Sequence, residues 1–447
     1  MAAVLAYARS MFQWTVKTEG IIAPDERPPA AQSVALGVQH IFAMFGATVL
    51  APVIMGFNPN TAIFFSGIGT LIFFVFVRGR VPSYLGSSFS FIAVVVMATG
   101  YTGTGPNPNI AVALGGIIAC GAVYAAVGLI VMAVGYKWVE WLMPPVVTGA
   151  VVAVIGLNLA PAAINYMIGY AKVADNFGIL VGLLTALVIA VVAVYAPGML
   201  RRLPILIGGV FGYLLYGLLS NILHFGGPYI DLNSIGNAPL FGWPALTAPQ
   251  FDTHAITLIV PVAIVLVAEN LGHIKAVATM TGRDLDPYIG RAFLADGVAT
   301  MVSGSGGGTG VTTYAENIGV MGVTKIYSSL VFVIAAVVAI LLGFSPMFGA
   351  VVHSIPQAVL GGMAIVLFGL IATTGARIWV ENKVDFTDNK NFITAAVALT
   401  LGAGNLTITQ GDFSIGGIGT ACIGALLIYQ ILNRFGMGAK TAESPAA

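Results

Sequence analysis

Ser303-Gly-Ser-Gly-Gly-Gly-Thr-Gly-Val-Thr-Thr-Tyr-Ala-Glu316 interrupts a chain that is otherwise almost continuously apolar. The stretch is too short and too rich in Gly, Ser and Thr to cross a bilayer as one continuous helix. Non-helical backbone at membrane depth survives only where it is buried in protein or lines a cavity. The stretch also ends on a glutamate, and a carboxylate at bilayer depth costs roughly 2.5–3.5 kcal/mol on insertion scales. A similar interrupted segment, Pro82-Ser-Tyr-Leu-Gly-Ser-Ser-Phe-Ser-Phe91, lies in the first half of the chain. A second intramembrane glutamate, Glu269, lies in Val262-Ala-Ile-Val-Leu-Val-Ala-Glu-Asn-Leu-Gly-His273.

The 447 residues are 58% hydrophobic and 8% charged, with a mean hydropathy of +0.95. A soluble protein of this length needs far more charge to cover its surface. The apolar runs from about Gln32 to Arg434 lack the alternation of a membrane β-barrel. The composition therefore specifies an all-α polytopic membrane protein. No cleavable signal peptide is expected, because Lys17, Glu19, Asp25, Glu26 and Arg27 precede the first span. Cys120 and Cys422 lie far apart in apolar segments and read as inert thiols, so no metal site is expected. A net charge of +1 gives no sign of a nucleic-acid partner.

Apolar segments are expected near 32–55, 60–77, 85–99, 109–134, 139–162, 177–196, 204–223, 255–274, 288–303, 312–322, 326–343, 356–373, 391–403 and 415–433, about fourteen in all. One set of connections holds Arg78, Arg80, Lys137, Arg201, Arg202, Lys275, Arg283, Lys325, Arg377, Lys383 and Lys390, with both termini. The opposite set, at 100–108, 224–254, 304–311, 344–355 and 404–414, carries no Lys or Arg. Only Lys172 stands on the wrong side. The positive-inside rule then makes both termini cytoplasmic.

The two halves echo one another. Pro145-Val-Val-Thr-Gly149 with Gly156-Leu157 is answered by Pro356, Gly362 and Gly369-Leu370. Gly67-Ile-Gly-Thr-Leu71 is answered by Gly297-Val-Ala-Thr-Met301, and Ser83-Tyr84 by Thr313-Tyr314. Seven spans per half would insert the second half upside down, a 7+7 inverted repeat of the kind secondary transporters use for alternating access. The half-helices of segments 3 and 10 would then present free backbone N–H groups to a ligand.

A planar heterocycle with alternating N–H donors and carbonyl acceptors fits such a site. Glu269 and Glu316 would accept from ring N–H groups, and the amides near Phe89 and Ala315 would donate to carbonyls. Phe89, Tyr314 and Phe368 offer aromatic faces. A carboxylate can also carry a proton, so cargo and coupling can share residues. His273 lies four residues after Glu269 on the same helical face and within hydrogen-bond reach, which favours a functional Glu–His pair over a structural one that locks two helices. Asp296 divides between helix packing and a direct role in proton coupling, and His40 between packing and site support. The Gly304–Gly310 run lacks the Lys-Ser/Thr and strand–helix context of a phosphate loop. Asp284 and Asp286 read as a solvated turn.

At these residues the chain resembles the nucleobase–ascorbate transporters, the nucleobase–cation symporters of the second class. Their signature, Gln/Glu/Pro-Asn-x-Gly-x-x-x-x-Thr-Lys/Arg, stands here as Glu316-Asn317-Ile-Gly319-Val-Met-Gly-Val-Thr324-Lys325. Gln39-His40, Phe45-Gly-Ala-Thr-Val49, Tyr84-Leu-Gly-Ser-Ser-Phe89 and Ala268-Glu269-x-x-Gly272-His273 support it. The likeness runs from about Pro24 to the last span and is nearest to bacterial pyrimidine and uracil permeases. It implies fourteen spans with short strands in the third and tenth. It also implies a cytoplasmic segment 1–31, a core domain at 32–135 and 254–343, a gate domain at 136–253 and 344–435, and a cytoplasmic tail 436–447. Proton-coupled uptake across the inner membrane, without another cofactor, and homodimers through the gates follow from the same resemblance.

Residue by residue, the resemblance gives Glu269 and Glu316 to the base and His273 to Glu269. Phe89, Ala315, Ala47, Tyr314, Ser88 and Phe368 complete the substrate site. Glu269, His273 and Asp296 are the proton-coupling candidates, and Asn317, Gly319, Thr324, Lys325 and His40 support the signature. Phe368 stands where a uracil permease carries a tyrosine, and Ala315 where it carries a glycine. Purine carriers tend to have Gln at the first signature position and ascorbate carriers Pro, so Glu316 points to uracil-type pyrimidines. The expected activity is proton-coupled import of uracil, with thymine a second candidate. The rival is a xanthine or other purine permease of the same family. A passive channel would need a continuous polar pore, and an enzyme a nucleophile–base or metal constellation that the sequence lacks.

Overall fold

The computed structural model describes residues 13–103, 105–169, 176–198, 200–411 and 413–442, with the backbone alone over 435–442. Lys172, residues 1–12 and residues 443–447 of the tail lie outside the described residues. The chain is an all-α polytopic membrane protein with short strands. Among the described residues, eight helices are long and apolar enough to cross a membrane, or nine if one bent pair counts as a span.

The helix boundaries follow from local chemistry. Pro59–Phe76 begins at Pro59, with the Asn58 side chain accepting from the Asn60 and Thr61 amides. Thr253–Ile259 and Val262–Thr281 form one apolar stretch, interrupted where Pro261 supplies no N–H. Three expected boundaries are corrected. The span placed at 139–162 is a short helix, Lys137–Leu142, followed by Pro145–Ile168. The Pro144-Pro145 pair holds the chain extended there (Pro144 ψ 163°) and restarts the helix. The span placed at 356–373 runs from Gln357 to Glu381. The connection at 344–355 contains a helix, Pro346–His353, bent by 82° from Ser329–Gly343. Asp286 is more than a solvated turn, since it accepts from Lys275 Nζ at 2.8 Å and from the Tyr136 hydroxyl.

Long helices meet through small residues, as membrane packing requires where backbones must approach closely. Ile110–Val134 lies against Ile289–Gly306. A Cβ on Gly121 would come within 2.7 Å of the Gly297 carbonyl oxygen, and one on Gly128 within 2.9 Å of the Gly290 oxygen. Pro145–Ile168 packs on Gln357–Glu381 in the same way, with Gly149 against the Gly375 carbonyl. Pro59–Phe76 lies along Ser329–Gly343, where Gly67 faces the Ala336 carbonyl.

Within this bundle the two interrupted segments meet. Strand β1 (Leu85–Ser87) pairs antiparallel with β2 (Val311–Thr313), in the register Leu85–Thr313, Gly86–Thr312 and Ser87–Val311. The Ser88 amide donates to the Gly310 carbonyl (2.9 Å), and the Tyr314 amide to that of Tyr84 (3.0 Å). Every residue of both strands is buried. A second antiparallel pair joins Ile408–Gln410 to Phe413–Ile415.

Candidate functional site

Each buried strand delivers the chain to the start of a short helix. After β1, Ser88 caps the turn Phe89–Phe91 by accepting from the Ser90 amide, and the chain continues as Ile92–Thr99. After β2, Tyr314 is extended and Ala315–Thr324 begins without a side-chain cap. Tyr314 therefore offers its first-turn amides no side-chain cap, and Glu316 sits at the positive end of the helix. The Tyr314 hydroxyl donates to the Ser87 carbonyl (2.8 Å) and accepts from Thr48 (3.1 Å). Gly86 is required beneath it, because a Cβ there would come within 2.6 Å of both the Thr48 hydroxyl and the Tyr314 ring.

A cavity of about 380 Å³ lies against both starts. Of the expected site residues, Glu269, Glu316, Phe89, Ala315, Tyr314, Ser88, His273 and Gly319 line it. Val152 and Ile155 of Pro145–Ile168 form part of the facing wall, with Ile371, Thr374, Arg377 and Glu381 of Gln357–Glu381. Among the described residues no Lys or Arg forms an ion pair with Glu269 or Glu316. Glu269 Oε2 is buried without a hydrogen-bond partner. No group of three or more His, Cys, Asp or Glu among the described residues is placed to hold a metal. The site thus pairs two carboxylate acceptors with uncapped amide donors.

The sequence around the two acids is locally the same, Ala268-Glu-Asn-Leu-Gly272 and Ala315-Glu-Asn-Ile-Gly319. Glu and Gly lie three apart and share a helical face toward the cavity, while each Asn turns into the packing. A Cβ on Gly272 or Gly319 would meet nothing within 4 Å. Both glycines leave open space beside a carboxylate.

Among the described residues no hydrogen bond joins Glu269 to His273, although both line the cavity. His273 Nδ1 lies 2.8 Å from the Thr313 hydroxyl, which donates to Asn270 Oδ1 at 3.5 Å. Asn270 Nδ2 donates to Asp296 Oδ2 and to the Tyr124 hydroxyl, both at 2.8 Å. Strand β2 presents Thr313 to the ring. Asp296 is fully buried behind the cavity, and its Oδ1 has no partner.

Ala47 and Phe368 are buried and do not line the cavity. Phe368 meets Phe89 edge-on, with ring centroids 5.9 Å apart. Asn317 bonds His40 through Nδ1 (3.0 Å) and the carbonyl (3.1 Å). Thr324 accepts from the Ile326 amide, and Lys325 ends the half-helix in a left-handed conformation (φ 58°). Sequence reasoning gave no role to Asn270, Tyr124 or Thr48, whose partners lie on distant elements, and it placed Arg377 in a loop.

Residues 31–411 match the Permease family. The chain is 58% identical over 425 residues to RutG of Escherichia coli (strain K12), described as a pyrimidine permease, covering 94% of this chain and 95% of that one. It is 40% identical over 422 residues to the uracil permease of Paenibacillus larvae subsp. larvae, covering 92% and 97%. In fold it is similar to the murine Slc26a9 anion transporter in its inward-facing state, with TM-score 0.67, 12% identity and 97% of this chain covered. It spans 72% of that chain and 65% of another SLC26A9 structure, and the likeness concerns the fold alone.

Proposed function

The chain belongs to the Permease family, among the nucleobase–cation symporters of the second class, and from that membership we propose that it imports uracil with protons across the cytoplasmic membrane. The observation that carries this reading is one cavity walled by two carboxylates without cationic partners and by an uncapped half-helix. Uracil offers two ring N–H donors and two carbonyls. Glu269 and Glu316 accept from the former, and the Phe89 and Ala315 amides donate to the latter. Phe89 and Tyr314 pack on the ring, with Ser88, Ala47 and Phe368 behind them. Protons reach the carriage step at Glu269, with His273 and Asp296 connected through Thr313 and Asn270.

The same reading assigns a fourteen-segment, 7+7 inverted architecture. Three packing relationships support it. Pro145–Ile168 with Gln357–Glu381 would be a symmetric pair, as would β1 with β2. The remaining two contacts, Pro59–Phe76 with Ser329–Gly343 and Ile110–Val134 with Ile289–Gly306, would be images of each other. The cavity then lies between a core (32–135, 254–343) and a gate (136–253, 344–435), reaching toward the basic face at Arg377. Both termini are cytoplasmic, the membrane is the bacterial inner membrane, and gates pair in a homodimer.

Labelled-uracil uptake in vesicles with an imposed proton gradient tests this. Accumulation should follow the gradient, and unlabelled uracil should compete better than xanthine. Uptake indifferent to the gradient removes the coupling, and preferential competition by xanthine reassigns the cargo.

A further inference from the structure

The segment before the first span makes a set of contacts that the transport reading leaves unused. Ile22 is 3% exposed and bridges to Ile326. Its amide donates to the Lys325 carbonyl (3.1 Å), and its carbonyl accepts from the Tyr327 amide (2.8 Å). The Pro24 carbonyl accepts from the Ser329 amide (3.1 Å) and hydroxyl (2.8 Å). Trp14 Nε1 donates to that same hydroxyl (2.9 Å). Asp25 then accepts from Arg283 on Oδ1 (2.6 Å) and meets Arg80 on Oδ2 (3.5 Å).

The attachment points bear on the two glutamates. Lys325 caps the half-helix that carries Glu316, and Arg283 follows, by two residues, the helix that carries Glu269. Ile22 and Asp25, three residues apart, therefore touch the cytoplasmic ends of both. Because an α-helix is stiff over this length, fixing its end fixes the position of a side chain along it.

We propose that Asp25 is a positioning residue for the base site: with Ile22, it clasps the two glutamate-bearing helices at a set separation. The proposal rests on the reading that Glu269 and Glu316 hold the base. Partial burial pushes the Asp25 carboxyl up. The Arg283 hydrogen bond and the charges of Arg283 and Arg80 outweigh this and hold it below its ordinary value. An isolated exposed ion pair contributes little, but here backbone bonds at Ile22 and Pro24 already fix the approach.

The test uses the full-length carrier in proteoliposomes, with rates normalised to carrier amount. Asp25→Asn and Arg283→Gln should each raise the uracil KM about threefold, with the maximal rate per carrier retained. The double variant should match Asp25→Asn, in which the Arg283 bond is already lost, and Arg283→Lys should stay near wild type. Unchanged KM, or increases that multiply in the double variant, overturns the clasp. A lower rate with unchanged KM assigns the strap to folding alone and overturns it too. A cysteine pair at Ile22 and Ile326, joined by a short thiol crosslinker, reads docking without substrate. Asp25→Asn should slow that crosslink, and a crosslink indifferent to Asp25 counts against the proposal. A carrier whose crosslink depends on Asp25 but which binds no uracil supports the clasp and overturns the substrate assignment instead.

Discussion

His273 and Thr313 share a 2.8 Å hydrogen bond that ties the imidazole to β2. Glu269 lines the cavity with one buried oxygen unpaired, and the imidazole belongs to a chain of polar groups ending at Asp296.

Thr313→Val removes the hydroxyl that joins this chain while keeping the shape of the side chain. Losing a buried hydrogen bond costs about 1–1.5 kcal/mol, so gradient-driven uptake should fall roughly tenfold. Uracil binding to the purified carrier should change far less. Equal losses in binding and uptake would place Thr313 in substrate recognition rather than coupling.

Glu316→Gln exchanges an acceptor-only carboxylate for an amide. A hydrogen bond to a charged group contributes about 1.5–3 kcal/mol, so uracil affinity should drop by roughly 10- to 100-fold. Calorimetric titration of the purified variant measures it. Wild-type affinity would take Glu316 out of the site.

Gly272→Ala and Gly319→Ala add a methyl where nothing lies within 4 Å, so both variants should fold normally and narrow the cavity. Uptake of a 5-substituted uracil should suffer before that of uracil. Gly297→Ala is the contrasting case, with the Gly121 carbonyl oxygen 2.6 Å from the new carbon. Overpacking of that kind costs about 1–3 kcal/mol, and thermal unfolding in detergent should show it as a lower midpoint.

Asp286 supplies a pH signature outside the site. Partial burial works to raise its pKa, but hydrogen bonds from Lys275 and Tyr136, with the lysine's charge, hold it below the ordinary 3.8. A depressed carboxyl stabilises the fold above its unfolded pKa, and that contribution is lost as pH falls through the folded value. Asp286→Asn should therefore lower the melting midpoint at pH 7 by a small amount, on the order of 1 °C. The gap should close as pH drops below 3.8. A gap that persists in acid would assign the loss to packing.

The sequence exposed the two glutamates and the two interrupted segments because a charge or a glycine run within apolar spans has few harmless readings. The partner of His273 was hidden, since helical spacing ranks Glu269 first and only the fold brings Thr313 across. Asn270 and Tyr124 were silent for the same reason. The break at Pro144 is masked in the sequence, because Trp138, Val139, Trp141 and Leu142 extend the apolar run through a helix that is not the span. Arg377 reads as a loop charge in the sequence, because its helix continues past the apolar stretch to Glu381.

The β1–β2 register carries a consequence for biosynthesis. Leu85 and Thr313 come from opposite halves of the chain, yet their strands share the backbone bonds that deliver both half-helices to the cavity. A nascent chain that has inserted only its first half has Leu85–Ser87 with no strand to pair with, leaving polar backbone groups without their partners. The cavity is therefore assembled late, after the ribosome has passed Thr313. Quality control that senses exposed polar backbone in the membrane has a defined interval in which to act on this protein.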